Sequence, residues 1–485
     1  MITVRFIKSS LIYSVAGALP MASAVILAPY YAANLTPEGF GAWALLLGFS
    51  ALVQIIVTFS FDSSIYVHYH KYKNYPQRLG QLISSVYLFV LGLSMLAVGL
   101  LFFLGNLIFE IVYPATSVAF APFGWLSVFS GVCYGLIKIE SALFQVKELP
   151  KHFLIVNLAT FFLLIVCTIA AFRLFPEDLF APVSARFLAS FTVALVLLAR
   201  TFRQTGIHFR WYLLRPLFQF NSASFVYQLQ QWFMSYFDRI ILAFLLPLSS
   251  VGVYDLAMKC LLVIDLILIG LNSAFMPRAI EAVSRGATPA EKTEINRFYH
   301  GLSAASILAV TLAIVALPPL VLVFFDVERY GQVVALLPVA ALVYLVKPLR
   351  FAMAMPFGAL RYSRPLPFIY LAVMALKFSL MFWLIPNDGL WGALYATLFA
   401  ACAEIALLYV AIKSRYLFSM NWIKMVVIPS CVGGVIIFFE PHLYSMHALL
   451  LHAAYLAMTF LLLVAVYRKE LTGLLARWKN KRLSS

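Results

Sequence analysis

Apolar runs long enough to cross a membrane alternate with short polar intervals along almost the whole chain. About 20 consecutive, mostly apolar residues suffice for a helix to span the hydrocarbon core of a bilayer. By that length the pattern predicts fourteen spanning helices, at about residues 10–33, 40–62, 82–104, 118–137, 153–173, 183–200, 218–246, 251–276, 301–325, 333–354, 368–386, 389–411, 425–440 and 447–467. The polar intervals are too short for a separate soluble domain, so the pattern predicts an all-α polytopic membrane protein.

Composition indicates the same class of protein. Hydrophobic residues make up 64% of the chain and charged residues 11%, whereas soluble domains are about half apolar and about a quarter charged. The mean hydropathy of the chain is +0.95. We therefore expect the functional residues to lie in the embedded helices or in short loops.

The basic residues predict which side of the membrane each loop faces. Most of the 35 Lys and Arg residues lie in alternate connections and in the helix ends that border them. The opposite connections, such as NLTPEGFG, FPEDLF and PNDGL, are short and nearly free of Lys and Arg. Because basic residues are retained on the cytoplasmic side, this distribution predicts that both termini are cytoplasmic.

The formal net charge of +16 raises the question of nucleic-acid binding, because basic chains attract phosphate backbones. Loop topology explains most of the excess, and anionic lipid headgroups attract basic segments such as the C-terminal ARWKNKR. Membrane lipids are therefore expected partners, and nucleic acid is not. The five cysteines and the pair His68 and His70 lack metal-ligand spacing, so we expect neither a metal site nor a disulfide.

An internal repeat divides the predicted spans. Residues 26–56 align with residues 241–267 when one four-residue gap is allowed, and both copies contain Ile-Leu-Ala, a turn and then Gly-x-aromatic. The last element is Gly41-Ala42-Trp43 in the first copy and Gly252-Val253-Tyr254 in the second. Each copy begins a block of six spans, as in transporters built from parallel repeats. We predict three regions: an N-terminal lobe over 1–200, a C-terminal lobe over 201–424, and two further helices with a basic tail over 425–485.

Three segments of the sequence resemble a known family. They are TPEGFGAWALL after the first span, SYFDRIILAFLLPLSSVGVYDLAMK across the seventh and eighth, and IPNDGLWGALYATL before the twelfth. Together they resemble the polysaccharide transporter, or O-antigen flippase, branch of the multidrug/oligosaccharidyl-lipid/polysaccharide exporter superfamily. The resemblance implies that the chain moves undecaprenyl-pyrophosphate-linked oligosaccharides from the inner to the outer leaflet of the bacterial inner membrane, for O-antigen, capsule or exopolysaccharide synthesis. It also implies a polymerase and glycosyltransferases of the same pathway as partners.

A polar stripe runs along the seventh predicted span. Its members recur every three or four residues and therefore share one helical face: Asn221, Ser224, Gln228, Gln231, Ser235 and Asp238. Two interpretations carry equal weight for the Gln and Ser residues. The stripe lines a polar cavity, or it forms hydrogen bonds that hold neighbouring helices together.

Embedded basic residues are the predicted contacts of the pyrophosphate. Arginine offers a bidentate fork and lysine a point charge to phosphate oxygens, and the basic residues in question are Arg239, Lys259, Lys377 and Arg186. Structural ion pairs are the alternative. Asp255 and Lys259 are spaced for a pair within one helix. Asp238 and Arg239 are neighbours about 100° apart on the helix, so one of them is expected to pair with another helix.

Three acidic residues are candidates for proton or sodium coupling, namely Asp238, Asp265 and Glu404, although structural pairing explains them equally well. No other cofactor is expected. Asp62, Lys347 and Arg350 lie near predicted cytoplasmic ends, where snorkelling toward water or loop topology accounts for their charges.

Two other functions remain open. Multidrug efflux within the same superfamily needs only an apolar cavity, but the extra helix pair and the embedded cations argue against it. A membrane glycan polymerase is the second alternative, and it is disfavoured because the outside loops are short. The chain also lacks a Walker A motif, so ATP-driven export by this chain alone is not predicted. We therefore expect alternating-access transport by a protein that is not an enzyme.

Overall fold

The computed structural model describes residues 4–112, 118–439 and 454–468, and the regular structure in these ranges is helical. The first seven helices are α1 Val4–Asn34, α2 Pro37–Thr58, α3 Phe61–Tyr72, α4 Pro76–Val112, α5 Trp125–Val146, α6 Pro150–Leu174 and α7 Phe180–Thr205. The next six are α8 Trp211–Leu245, α9 Leu248–Ser284, α10 Pro289–Phe324, α11 Val327–Ala359, α12 Leu366–Asp388 and α13 Leu390–Ile412. The last two are α14 Ile428–Phe439 and α15 Ala454–Arg468.

These helices confirm the predicted all-α polytopic fold. Eleven segments of the described chain are long and apolar enough to cross a membrane. They include α2 together with α3 as one segment, and α5 with the π-helical turn that precedes it. Helix α8 carries the polar stripe and is less apolar than these, while α14 and α15 are shorter apolar helices. The part of the last predicted span over 447–453, and the basic tail after residue 468, lie outside the described residues.

The helices differ from the predicted spans in two respects. Several continue beyond the apolar run into polar sequence, because a helix does not have to end where the bilayer ends. Helix α9, for example, has 37 residues. The second predicted span, 40–62, is broken, since Phe59 and Ser60 both have positive φ angles of 41° and 56°. Left-handed backbone at two consecutive residues other than glycine is rare and marks a position held by its surroundings.

The chain divides into two compact units, Met1–Asp255 and Leu256–Ser485. The predicted boundaries at residues 200 and 424 stay predictions. In the first unit, α5 packs against α2 and α7, α6 packs against α1 and α7, and α8 contacts α2, α3 and α4. In the second unit, α10 packs against α11, α12 packs against α13, and α11 also contacts α13 and α14.

The two glycines of the repeat meet in the first unit. A Cβ atom added to Gly252 would lie 2.0 Å from the carbonyl oxygen of Pro37, and one added to Gly41 would lie 2.3 Å from the carbonyl oxygen of Leu248. Each added Cβ would also lie 3.0 Å from the backbone nitrogen of the other glycine. The contact is therefore reciprocal, and only glycine permits the first turns of α2 and α9 to approach this closely.

We expect Gly252→Ala to lower the free energy of unfolding by about 1–3 kcal/mol, because the new methyl group overlaps a backbone carbonyl that cannot rotate away. Thermal unfolding of the purified protein in detergent measures the loss. Gly270→Ala is the matched control, since it lies on the same helix with open space around it. Equal stability of the two variants would contradict the close contact.

Candidate functional site

A compact ionic cluster holds the C-terminal part of α8 against the start of α9. Arg239 Nη1 lies 2.7 Å from Asp238 Oδ1, and Arg239 Nη2 lies 3.1 Å from Asp255 Oδ1. The hydroxyl of Tyr254 donates a hydrogen bond of 2.9 Å to Asp238 Oδ2. The predicted pairing of Asp238 or Arg239 with another helix is thereby confirmed, because both residues of α8 are held by residues of α9.

Arg239 is largely enclosed in this cluster. Its side chain is 14% exposed, and the side chains of Asp238 and Asp255 are 4% and 6% exposed. The guanidinium also lies 5.6 Å from the centre of the Tyr254 ring. Two carboxylates and an aromatic ring around one guanidinium are typical of a structural ion pair. A structural ion pair was the alternative to a substrate contact. The substrate contact at Arg239 stays a prediction.

The break between α2 and α3 is surrounded by a second polar network, centred on Lys138 of α5. Lys138 Nζ donates a hydrogen bond of 2.8 Å to Gln228 Oε1 and lies 3.1 Å from Asp62 Oδ2. Gln228 Nε2 in turn donates to Ser60 Oγ at 2.9 Å and lies 3.4 Å from both Asp62 Oδ1 and Ser63 Oγ. The left-handed backbone at Ser60 is thus tied by side chains to α5 and α8.

This network decides the role of one residue of the stripe. Gln228 forms interhelical hydrogen bonds, as the helix-gluing interpretation predicts. Asn221 differs, since it is fully buried and neither side-chain polar atom has a hydrogen-bond partner. Ser224 and Gln231 are partly buried and Ser235 is exposed. Lining of a cavity by these residues stays a prediction.

In the second unit, two basic residues of α11 pair with the other two coupling candidates. Lys347 forms an ion pair with Asp265 of α9, and Arg350 Nε donates a hydrogen bond of 2.7 Å to Glu404 Oε1 of α13. Lys347 and Arg350, whose charges were attributed to snorkelling or topology, are thus each paired with a residue of another helix, and so is Asp62, which is paired with Lys138. The hydropathy pattern located these residues near helix ends but did not indicate that neighbouring helices supply their counter-charges.

The remaining predicted cations lie on three different helices. Lys259 and Lys377 belong to the second unit and are 8% and 3% exposed. Arg186 belongs to α7 in the first unit and lies over the ring of Tyr134, with 4.1 Å between Cζ and the ring centre. Contact of these three residues with substrate stays a prediction.

Sequence reasoning missed two embedded charges of α5, Lys138 and Glu140. The predicted span ended at residue 137, whereas the helix continues to Val146. Glu140 is 5% exposed, and its Oε2 accepts hydrogen bonds from the Tyr87 hydroxyl at 2.6 Å and from Thr201 Oγ1 at 3.2 Å. Lys138 lies four residues after Tyr134, which was inside the predicted span, so the two share a helical face. That spacing indicated that Lys138 lies on an embedded face.

Comparisons with known proteins give a family and a fold. A family model described as polysaccharide biosynthesis protein matches residues 6–283. No curated protein matches the chain. The structure is similar to the lipid II flippase MurJ in an inward closed conformation, with a TM-score of 0.76 and 11% identity over 95% of this chain and 100% of that chain. It is also similar to an inward-facing multidrug resistance MATE family transporter of the MOP superfamily, with a TM-score of 0.66 and 12% identity over 82% of this chain and 95% of that chain.

A third similar structure is the eukaryotic MATE transporter AtDTX14, with a TM-score of 0.53 and 12% identity over 89% of this chain and 100% of that chain. Identities this low establish a shared fold and leave substrate open. The fold is therefore common to proteins named as a lipid flippase and as multidrug transporters.

We expect Arg350→Gln to lower the free energy of unfolding by about 1–3 kcal/mol, because it leaves the buried Glu404 carboxylate without its guanidinium. The loss is smaller than for a fully buried pair, since the Arg350 side chain is 32% exposed. Adding Glu404→Gln should recover much of the loss, which thermal unfolding of the single and double variants measures. Arg329→Gln is the surface control: Arg329 pairs with Asp326 where both side chains are exposed, so its loss should cost less than about 1 kcal/mol. A double variant as unstable as Arg350→Gln would contradict the pairing.

Proposed function

Because the chain belongs to the polysaccharide biosynthesis protein family, we propose that it flips an undecaprenyl-pyrophosphate-linked oligosaccharide from the inner to the outer leaflet of the bacterial inner membrane. The family match supports a role in glycan synthesis, and the MurJ-like fold supports movement of a lipid-linked cargo. The transport cycle is alternating access, in which the protein opens to one side of the membrane and then to the other.

Lys138 is the observation that carries the proposal. Its side chain is embedded in α5 yet remains 35% exposed, so it is accessible to a ligand. A pyrophosphate needs cationic donors in a site shielded from bulk water, where an ionic hydrogen bond is strongest. A phosphate oxygen that replaced Asp62 at Lys138 Nζ would keep the ammonium neutralised, and the Asp62 carboxylate would retain its contact with Gln228.

The other basic residues predicted for the pyrophosphate have different surroundings. Lys259 and Lys377 are buried in the second unit, and the proposal does not depend on them. Arg239 acts mainly by fixing α8 against α9, because two carboxylates already surround it. Coupling to H⁺ or Na⁺ at Asp238, Asp265 or Glu404 would have to break an ion pair with Arg239, Lys347 or Arg350.

Multidrug efflux is the second candidate, and the buried Glu140 favours it. In contrast to the paired acids, Glu140 accepts hydrogen bonds from two hydroxyl groups, so a cationic cargo that reached it would supply a counter-charge. The MATE-like fold fits this alternative as well. A flippase and a drug transporter differ in what accumulates when the protein is absent, so one strain discriminates between them.

The proposal is tested in a strain from which the gene has been deleted. We expect lipid-linked oligosaccharide to accumulate in the inner leaflet, and the parent gene to restore export. Lys138→Met should reduce export at least about tenfold, since one ionic hydrogen bond contributes about 1.5–3 kcal/mol. Lys151→Met is the matched control, because Lys151 is exposed at the first turn of α6 and its charge has no role in the proposal.

Loss of Lys138 also leaves Asp62 without its counter-ion, so protein level must be separated from transport. In Lys138→Met/Asp62→Asn the uncompensated charge is absent, and we expect normal protein level with export still impaired. Normal export by this double variant at a normal protein level would refute the role of Lys138. Sensitivity to cationic drugs without glycan accumulation in the deletion strain would instead establish the efflux alternative.

A further inference from the structure

The chain between α7 and α8 is exposed although most of its side chains are large and apolar. Helix α7 ends at Thr205 and α8 begins at Trp211, and residues 207–212 are all exposed. The four apolar side chains among them are 51–72% exposed, namely Ile207, Phe209, Trp211 and Tyr212. A contiguous apolar patch of this kind marks a contact with a partner or with the membrane. We call residues 207–212 the linker segment.

Two buried serines of α4 hold the linker segment in an extended conformation. The backbone N–H groups of His208 and Arg210 donate hydrogen bonds of 2.9 and 2.8 Å to Ser84 Oγ and Ser85 Oγ. Ser85 Oγ also lies 3.2 Å from the carbonyl oxygen of His208. The backbone of Arg210 is extended, with φ of −133° and ψ of 94°. The serine hydroxyls thus bind backbone groups that a neighbouring strand would bind in a sheet.

An extended conformation makes the linker segment amphipathic. Successive side chains of an extended chain point to opposite sides, so Ile207, Phe209 and Trp211 share one side, whereas His208 and Arg210 share the other. The rings of Phe209 and Trp211 lie 6.5 Å apart, measured between centres, as expected for side chains on the same side. The segment therefore presents an apolar side and a basic side.

Backbone and ring contacts indicate the depth of the linker segment in the membrane. Non-helical backbone exposed to lipid does not occur within the hydrocarbon core, whereas Trp and Tyr are enriched at the boundary between membrane and water. The Trp211 ring lies 5.2 Å from the ring of Phe218 in α8 and 6.3 Å from that of Phe89 in α4, measured between centres. Its position is therefore fixed against two helices while half of it remains exposed. These features place the segment at the level of the lipid headgroups.

The charges around the linker segment are of one sign. Arg203 in the last turn of α7 and Arg215 near the start of α8 are exposed, as are His208 and Arg210. No acidic residue occurs between positions 200 and 215. The distribution of Lys and Arg predicts that this connection is cytoplasmic, and the cytoplasmic leaflet carries anionic lipids that attract basic segments. An anionic headgroup therefore complements the basic side, and acyl chains complement the apolar side.

We propose that the linker segment is a binding site for anionic phospholipid. The lipid phosphate contacts Arg210 and the flanking arginines, and the rings of Phe209 and Trp211 lie among the upper parts of the acyl chains. Binding ties the connection between the two predicted repeats to the membrane surface at a fixed depth. The inference does not rest on the proposed flippase function, because it requires only that the protein is embedded in a membrane.

Thermal unfolding of the purified full-length protein in neutral detergent tests the site. Ligands that bind the folded state alone raise the midpoint of unfolding. We expect added phosphatidylglycerol to raise the midpoint more than an equal concentration of phosphatidylcholine. Arg210→Gln should need about fivefold more phosphatidylglycerol for the same rise, because each basic residue near an anionic surface strengthens binding by about this factor.

Arg173→Gln is the matched control. Arg173 is exposed in the last turn of α6 and lies near the exposed Phe175, but the acidic residues Glu177 and Asp178 follow it. Its variant loses the same charge beside an aromatic residue without a basic neighbourhood. We therefore expect it to respond to phosphatidylglycerol as the parent does.

Phe209→Ser tests the apolar side, because it keeps every charge and removes one ring. We expect a weaker response to both lipids with the preference for phosphatidylglycerol retained. A titration with inorganic phosphate in the absence of lipid separates a lipid headgroup from a free anion. A preference for phosphatidylglycerol that depends on Arg210 and not on Arg173 supports the site. The site is overturned by an absent preference, by equal effects of the two arginine variants, by an unchanged response of Phe209→Ser, or by an Arg210-dependent rise with phosphate alone.

Discussion

A charge within a membrane must find a counter-charge, and this constraint organises the polar interior of the protein. An unpaired ionised side chain at the centre of a spanning helix costs about 2.5–3.5 kcal/mol on insertion scales. The pairs Asp62 with Lys138, Asp265 with Lys347, and Glu404 with Arg350 each join two different helices. Embedded charges in this fold therefore fix which helices are neighbours and how each helix is rotated.

The repeat adds a second constraint, which acts through backbone rather than charge. The reciprocal contact of Gly41 with Gly252 brings α2 and the start of α9 together without side chains between them. An aromatic residue follows each glycine by two positions, Trp43 in the first copy and Tyr254 in the second. Tyr254 lies beside Arg239, whereas Trp43 packs against another aromatic ring. The two copies thus share a backbone contact that accepts only glycine, and the side chains around that contact differ.

The limits of sequence reasoning follow from what hydropathy measures. It predicts that a segment is embedded, so the helical class and most spans were predictable, as was the existence of charged residues within them. It does not predict rotation about the helix axis, which decides whether Arg350 points to water or to Glu404. An apolar run also ends at the first charges of a helix, and for that reason the fourth predicted span ended at residue 137, before Lys138 and Glu140.

The break in the second span has the same origin. The average hydropathy of residues 40–62 is that of one apolar run. Phenylalanine and serine rarely adopt a left-handed backbone, so the residue types of Phe59 and Ser60 did not indicate a turn. What stabilises that turn is distant in sequence, since Gln228 reaches Ser60 across 168 positions. Tertiary hydrogen bonds of this kind override local preference, and their partners are identifiable only once α8 is positioned beside α3.

Exposure distinguishes the enclosed ion pairs of the protein from the more accessible ones. The side chains of Arg239 and its two carboxylates are at most 14% exposed, so breaking this cluster would leave buried charges without partners. Lys138 and Arg350 are 35% and 32% exposed, while their partners Asp62 and Glu404 are 11% and 5% exposed. In the proposed transport cycle an anionic headgroup has to displace a carboxylate from its cation and later be released, and an accessible pair permits this exchange more readily than an enclosed one.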